Sequence, residues 1–156
     1  MNQTRRNLLH ASGGATVMAL AVSAGIFKSG KVYAEEWNKA AFDTKGLQDT
    51  VKAMGGAAAT ESKDINITSP DIAENGAVVP VSVSSKLGKT ESISILVEKN
   101  PNALSAAFDI PGGTEPFVST RVKMGQTSNV YALVKADGKY FYATKEIKVT
   151  LGGCGG

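Results

Sequence analysis

From Asp64 onward, apolar side chains fall on every second position. Ile65 and Ile67 alternate with polar neighbours, and Val79, Val81 and Val83 repeat the pattern. So do Ile93, Ile95 and Val97, and then Val130, Ala132 and Val134. A period of two is the period at which a strand turns one face to a core. The runs are separated by turn chemistry: Glu74-Asn75-Gly76, Leu87-Gly88-Lys89, Lys99-Asn100-Pro101-Asn102 and Pro111-Gly112-Gly113. Asp137-Gly138, ahead of Tyr140-Phe141-Tyr142, reads as a two-residue hairpin turn. Ile147, Val149 and Leu151 make a last strand. Pro80 carries no N–H, which places its run on a sheet edge or at a bulge.

Before Asp64 the period is different. Phe42, Leu47, Val51 and Met54 predict a short helix with Asp43 as N-cap, a hydrophobic staple from Phe42 to Leu47, and Gly55-Gly56 as the stop. Ala57 to Lys63 is small and polar, and reads as a linker. One short helix followed by six or seven short strands predicts an all-β fold, an antiparallel β-sandwich around a single core.

The first 34 residues follow neither pattern. Thr4-Arg5-Arg6-Asn7-Leu8-Leu9 is a twin-arginine motif, Ala11 to Phe27 is apolar but diluted by Gly, Ser and Thr, and Val32-Tyr33-Ala34 precedes Glu35-Glu36 as a signal-peptidase site would. A membrane span needs about 20 strongly apolar residues, and this stretch is shorter and weaker. The expected organisation is a twin-arginine signal peptide over residues 1–34, a domain over 35–151 and a C-terminal arm over 152–156.

Removing the leader changes what the charge means. The whole sequence carries 17 Lys plus Arg against 14 Asp plus Glu and has a pI near 9.0. Arg5, Arg6, Lys28 and Lys31 leave with the leader, so 13 basic residues face 14 acidic ones and the basic pI is no sign of nucleic acid. Residues 117–156 hold six basic and two acidic side chains. A solvated face explains that imbalance more simply than an acidic partner does.

His10, the one histidine, also leaves. What remains cannot assemble a Ser/His or Cys/His pair, nor a zinc or haem site of the common types. No carboxylate pair is singled out by spacing. Asn66-Ile67-Thr68 fits a glycosylation acceptor, but a twin-arginine leader points to a bacterial-type envelope. Leu151-Gly152-Gly153-Cys154 imitates a lipoprotein box without the apolar segment that should precede one.

The chemistry that is left sits in Gly152-Gly153-Cys154-Gly155-Gly156. Glycine has no Cβ and is entropically costly to order, so this stretch is expected to form a thin, flexible arm. From Leu151 to Cys154 it spans at most roughly 10 Å, enough to place a thiol in a narrow pocket of another protein. No Lys, Arg or His lies within five residues of Cys154. At an ordinary thiol pKa of about 8.5, only a few per cent is thiolate at pH 7. The pattern suits a substrate-bearing handle activated by partners. An unpaired thiol without purpose invites crosslinking and overoxidation in an oxidising compartment.

The tail "GGCGG", together with "ENGAVVPVSV" (Glu74 to Val83), "VEKNPNALSAAF" (Val97 to Phe108) and "TRVKMGQTSNVYALV" (Thr120 to Val134), resembles the SoxY family, sulfur-carrier subunits of the periplasmic thiosulfate-oxidising Sox system. The resemblance implies an immunoglobulin-like sandwich paired with SoxZ as a heterodimer. It implies a carrier, not an enzyme, with no cofactor or metal of its own and neither nucleic acid nor membrane as partner. Cys154 would be the attachment point, with Gly152, Gly153, Gly155 and Gly156 as the swinging arm. The cytochrome SoxXA would conjugate thiosulfate to the thiol and the hydrolase SoxB would release sulfate, leaving a persulfide. Where present, the sulfane dehydrogenase SoxCD would oxidise the remaining sulfur. The location implied is the periplasm.

Three other readings fit less well. A ubiquitin-like sulfur carrier also ends in Gly-Gly, but it needs ATP and gives Cys154 no role. A thiol redox enzyme would want a second cysteine or an activating base. A purely structural sandwich would not depend on the tail.

Overall fold

The period-two runs build two sheets packed face to face. In the computed structural model, which describes residues 38–150, two helical turns, α1 (Lys39–Phe42) and α2 (Leu47–Ala53), precede nine strands. These are β1 (Ala59–Glu61), β2 (Ile65–Thr68), β3 (Ile72–Ala73), β4 (Val79–Ser85), β5 (Thr90–Val97), β6 (Leu104–Asp109), β7 (Phe117–Val122), β8 (Ser128–Ala136) and β9 (Lys139–Val149). The larger sheet runs β1-β9-β8-β5-β6, with β3 also on β9, and the smaller runs β2-β4-β7. Pairing is antiparallel except where β1 and β3 join β9 in parallel. This is the immunoglobulin-like sandwich expected. The predicted leader, residues 1–34, and Leu151 lie outside the described residues.

The alternating valines and isoleucines fill the space between the sheets. Val79, Val81 and Val83 of β4 meet Ile93, Ile95 and Val97 of β5, Val130, Ala132 and Val134 of β8, and Ile147 of β9, all fully buried. Each such side chain contributes about 1.5–3 kcal/mol when buried. The ion pairs Lys89–Asp137, Lys135–Glu91 and Lys145–Asp71 each involve well-exposed groups, where such a pair is worth about 0–1 kcal/mol. The core therefore decides the fold.

A second apolar cluster lies on the other face of the larger sheet. Ala41 and Val51 from the helical turns cover Leu96, Ala103, Leu104, Leu133 and Tyr140. The Tyr140 hydroxyl donates to the Met54 carbonyl at 2.8 Å, tying the end of α2 to β9. Gly55, at φ +84°, ends α2 as expected. A Cβ on Gly56 would lie 2.8 Å from Val51 Cγ1 and closer still to the Tyr140 ring.

Several local expectations are revised. The helix does not start from an Asp43 cap. The side chain of Asn38 accepts from Ala41 N–H and opens α1 a turn earlier, so Asp43 becomes the C-cap of α1. The Thr44 carbonyl then accepts from Ala103 N–H at 2.8 Å, which interrupts the helix until Gly46. Ala57–Lys63 is not only a linker, since Ala59–Glu61 pairs with Tyr140–Tyr142 at the sheet edge. Tyr140-Phe141-Tyr142 and Ile147-Val149 belong to one strand of eleven residues, β9. Pro80 lies in the central strand of the smaller sheet, but β2 pairs only with Ser82–Ser85, so the flank beside Pro80 has no ladder to interrupt. Asp137-Gly138 is the hairpin turn predicted, with φ of 49° and 72°.

That hairpin is held from below. Glu91 accepts from Gly138 N–H at 2.7 Å and from Lys135 at 2.8 Å, and the Lys135 bond, more than the Gly138 one, holds its carboxyl below the usual carboxylate range. A lowered folded-state pKa contributes stability that is present above the ordinary value and lost as pH falls through the folded one. The difference in thermal midpoint between wild type and Glu91→Gln should therefore shrink on going from neutral pH to about pH 3, below the ordinary carboxylate pKa; a constant difference would mean the charge is irrelevant. Tyr140→Phe should cost about 1 kcal/mol in urea unfolding, for one lost hydrogen bond.

Candidate functional site

Gly152, Gly153, Cys154, Gly155 and Gly156 lie outside the described residues. The structure instead fixes the point from which that stretch departs, the end of β9. Three successive backbone N–H groups there are held. Lys148 N–H donates to the Asp71 carbonyl at 2.9 Å, Val149 N–H to Thr127 Oγ1 at 2.9 Å and Thr150 N–H to the Ala73 carbonyl at 3.1 Å. Strand ends usually fray for want of such partners. Here the chain is secured up to Thr150.

The two-residue strand β3 and Asp71 just before it supply two of these acceptors, and the strand is itself tied down. Ile72 and Ala73 pair with Lys148 and Val149. Lys145 Nζ donates to the Ser69 carbonyl at 2.7 Å and pairs with Asp71 at 3.0 Å, pinning the approach to β3. Beyond β3, the Asn75 side chain accepts from Ala77 N–H at 2.9 Å and closes a turn. Gly76 then accepts from Met124 N–H at 2.6 Å. A side chain on Gly76 would collide with the Met124 carbonyl oxygen and lie 2.8 Å from Val149 Cγ1, so glycine is required by close approach. The Asn100 side chain donates to the Lys123 carbonyl at 2.7 Å, joining a further loop to this corner.

Cys154 lies four residues beyond Thr150. A chain of that length extends at most about 14 Å. The corner can therefore present the thiol at a fixed exit and a limited radius. Among the described residues, no group of three or more His, Cys, Asp or Glu is placed to hold a metal ion. Nor is any described helix long and apolar enough to cross a membrane. A shallow cavity of about 370 Å³, lined in part by Gly56, Thr60, Gly138 and Lys139, sits at the beginning of β9. The eleven residues of β9 separate it from the exit by about 33 Å at ~3.3 Å per residue, so it has no part in the exit.

The sequence pattern indicates the tail but not its mooring. Asn75-Gly76 is recognisable as a turn, yet nothing in it announces contact with Met124 and Val149. Nothing local marks Thr127, whose partner is 22 positions away.

Residues 51–154 match the family model for SoxY, the sulfur oxidation protein. The solved structure of the sulfur carrier protein SoxY from Chlorobium limicola f thiosulfatophilum is 38% identical over 72% of this chain and 99% of that chain, with a TM-score of 0.63. A superoxide reductase (neelaredoxin) from Ignicoccus hospitalis is 23% identical, covering 55% of this chain and 80% of that one, with a TM-score of 0.48. No curated protein matches.

Gly76→Ala should destabilise the domain by about 1–3 kcal/mol, the range for overpacking a closed site. Urea unfolding measures it. A variant as stable as wild type would show that the corner is loose.

Proposed function

The chain belongs to the SoxY family of sulfur-oxidation proteins, and on that premise we propose that it is a sulfur-substrate carrier of thiosulfate oxidation, with Cys154 as the covalent attachment point. The single observation that carries this reading is the moored exit at Thr150, four residues before the chain's one cysteine. A carrier needs a body that stays outside its enzymes and a thiol that goes in. Held backbone up to Thr150 provides the first, and Gly152, Gly153, Gly155 and Gly156 provide a thin tether for the second.

The thiol brings no activating group of its own, so the chemistry is assigned to partners. Conjugation of thiosulfate joins its sulfane sulfur to Cys154 Sγ. The thiol loses its proton and the pair of reactants loses two electrons, which a c-type cytochrome such as SoxXA accepts. Hydrolysis by SoxB then breaks the bond between the sulfane and sulfonate sulfurs. Water supplies the oxygen of the departing sulfate, and a persulfide stays on Cys154. A sulfane dehydrogenase, SoxCD, would prepare that sulfur for another hydrolysis. The protein itself acts as carrier and performs no turnover. SoxZ is the proposed stable partner, in a heterodimer, and the periplasm the proposed location. The Arg5-Arg6 leader suits this pairing, because the twin-arginine route moves folded proteins and a leaderless partner can travel already bound.

Intact mass spectrometry of protein from cells growing on thiosulfate should find thiosulfonate or sulfane adducts that a reductant removes. They should be absent from Cys154→Ser, which should fold and bind its partner normally yet support no thiosulfate oxidation. An adduct on the terminal carboxylate would point to a ubiquitin-like carrier, and full turnover by Cys154→Ser would end the proposal.

A further inference from the structure

Three large apolar side chains are exposed among the described residues: Ile72 at 56%, Val78 at 50% and Phe117 at 51%. Two of the three fall in the seven-residue segment that moors Thr150. Neither belongs to an apolar cluster of the fold. Ala73, beside Ile72 in β3, is buried, so strand alternation turns Ile72 outward; Val78, just ahead of β4, is half-exposed beside the buried Val79. Ile72 is level with Lys148 in the β3–β9 ladder. Val78 follows two residues after Gly76, which abuts Val149. The fold thus leaves an apolar collar at the exit of the terminal stretch.

We propose that the collar formed by Ile72 and Val78 is a docking surface for the rim of an enzyme that processes the sulfur held on Cys154. This rests on the carrier reading above. What commits the collar to that occupant is length. Cys154 is four residues past Thr150, so a reacting centre that reaches the thiol comes within about 14 Å of backbone, plus the length of the cysteine side chain and its bound sulfur, of Thr150. An active site sunk in a channel brings its entrance closer still. The surface it meets first is the one around Thr150, and Ile72 and Val78 are its exposed apolar part.

A permanently bound subunit is a poor occupant, because it would obstruct the entry of the thiol into any other protein. Charge is a poor source of attraction here. Asp71 is paired with Lys145, and the nearby Glu74 and Lys148 are of opposite sign. Two half-exposed aliphatic side chains give a small patch, suited to an encounter that must form and release at each step.

The experiment uses the full mature chain with its stable partner, Cys154 loaded chemically as the S-thiosulfonate, and a purified hydrolase that releases sulfate from such a conjugate. Sulfate release is followed against carrier concentration. For Ile72→Ser combined with Val78→Ser, KM should rise about tenfold, as expected for losing contact of two aliphatic side chains. The rate at saturation should stay unchanged. Val78→Ser alone, outside any strand, should give a smaller rise in the same direction, and Phe117→Ser should match wild type. Reaction of the unloaded thiol with a small aromatic disulfide should be the same in all four proteins.

An unchanged KM in the double variant overturns the proposal. So does an equal rise in Phe117→Ser, or loss of the stable partner from the double variant on gel filtration, which would mark the collar as a subunit interface. Failure of the hydrolase to act on loaded wild type is a different result: it removes the carrier reading itself, and the docking surface with it.

Discussion

The outer edge of β9 is the constraint on which the rest depends. An eleven-residue strand beside β8 leaves a row of backbone groups on its far side, and an open edge of that length is a template for unwanted pairing. The chain closes it in pieces. Ala59–Glu61 covers Tyr140–Tyr142, and Ser62 N–H continues onto the Tyr142 carbonyl. Lys145 reaches across to Ser69 and Asp71 where no strand fits, and Ile72–Ala73 covers Lys148 and Val149. Each patch is too short to be stable alone. Together they convert an edge into a buttress, and the last patch doubles as the mooring of the terminal stretch.

Much of the sandwich was legible because its signal is local. Ile93, Ile95 and Val97 alternate within five positions, and burial of the same face follows directly. Val118 and Val122 of β7 are buried too, but Ser119-Thr120-Arg121 lies between them and hides the period. Leu104 to Asp109 is hidden in a similar way by Ser105, Ala106 and Ala107. β1 was not legible for a deeper reason. Ala59-Thr60-Glu61 has no pattern of its own, and it is a strand because β9 lacks a neighbour there. The Asp43 cap failed by competition, since Asn38 captured the first turn and Ala103 took the carbonyl of Thr44. In the candidate site, Cys154 is evident from composition alone. Thr127 and Gly76 act on residues far away in sequence, where no local pattern can register them.

Rigidity and reactivity are separated along this chain. The body offers held backbone, exposed aliphatic side chains at one corner and well-exposed ion pairs, and it directs no histidine or metal cluster of the described residues at that corner. A thiol without a neighbouring activating group is slow to react on its own. For the carrier proposed above that is an advantage, because a bound sulfur should change only inside the enzyme meant to change it. Selectivity then passes from the chemistry of the thiol to which proteins can bring a reactive centre to it.

On that proposal, mooring the exit matters as much as the stretch beyond it. If the β3–β9 ladder opened, Lys148 to Thr150 would add about 10 Å of reach to the proposed tether. A longer tether lowers the effective concentration of the thiol at any one site once its length exceeds the span required, and it admits centres that could not otherwise be reached. Lys145, Gly76 and Thr127 therefore fix more than a strand end. By holding the departure point they would set a short radius for the proposed carrier, and a short radius would oblige a processing enzyme to touch the body, so that recognition falls to the folded surface.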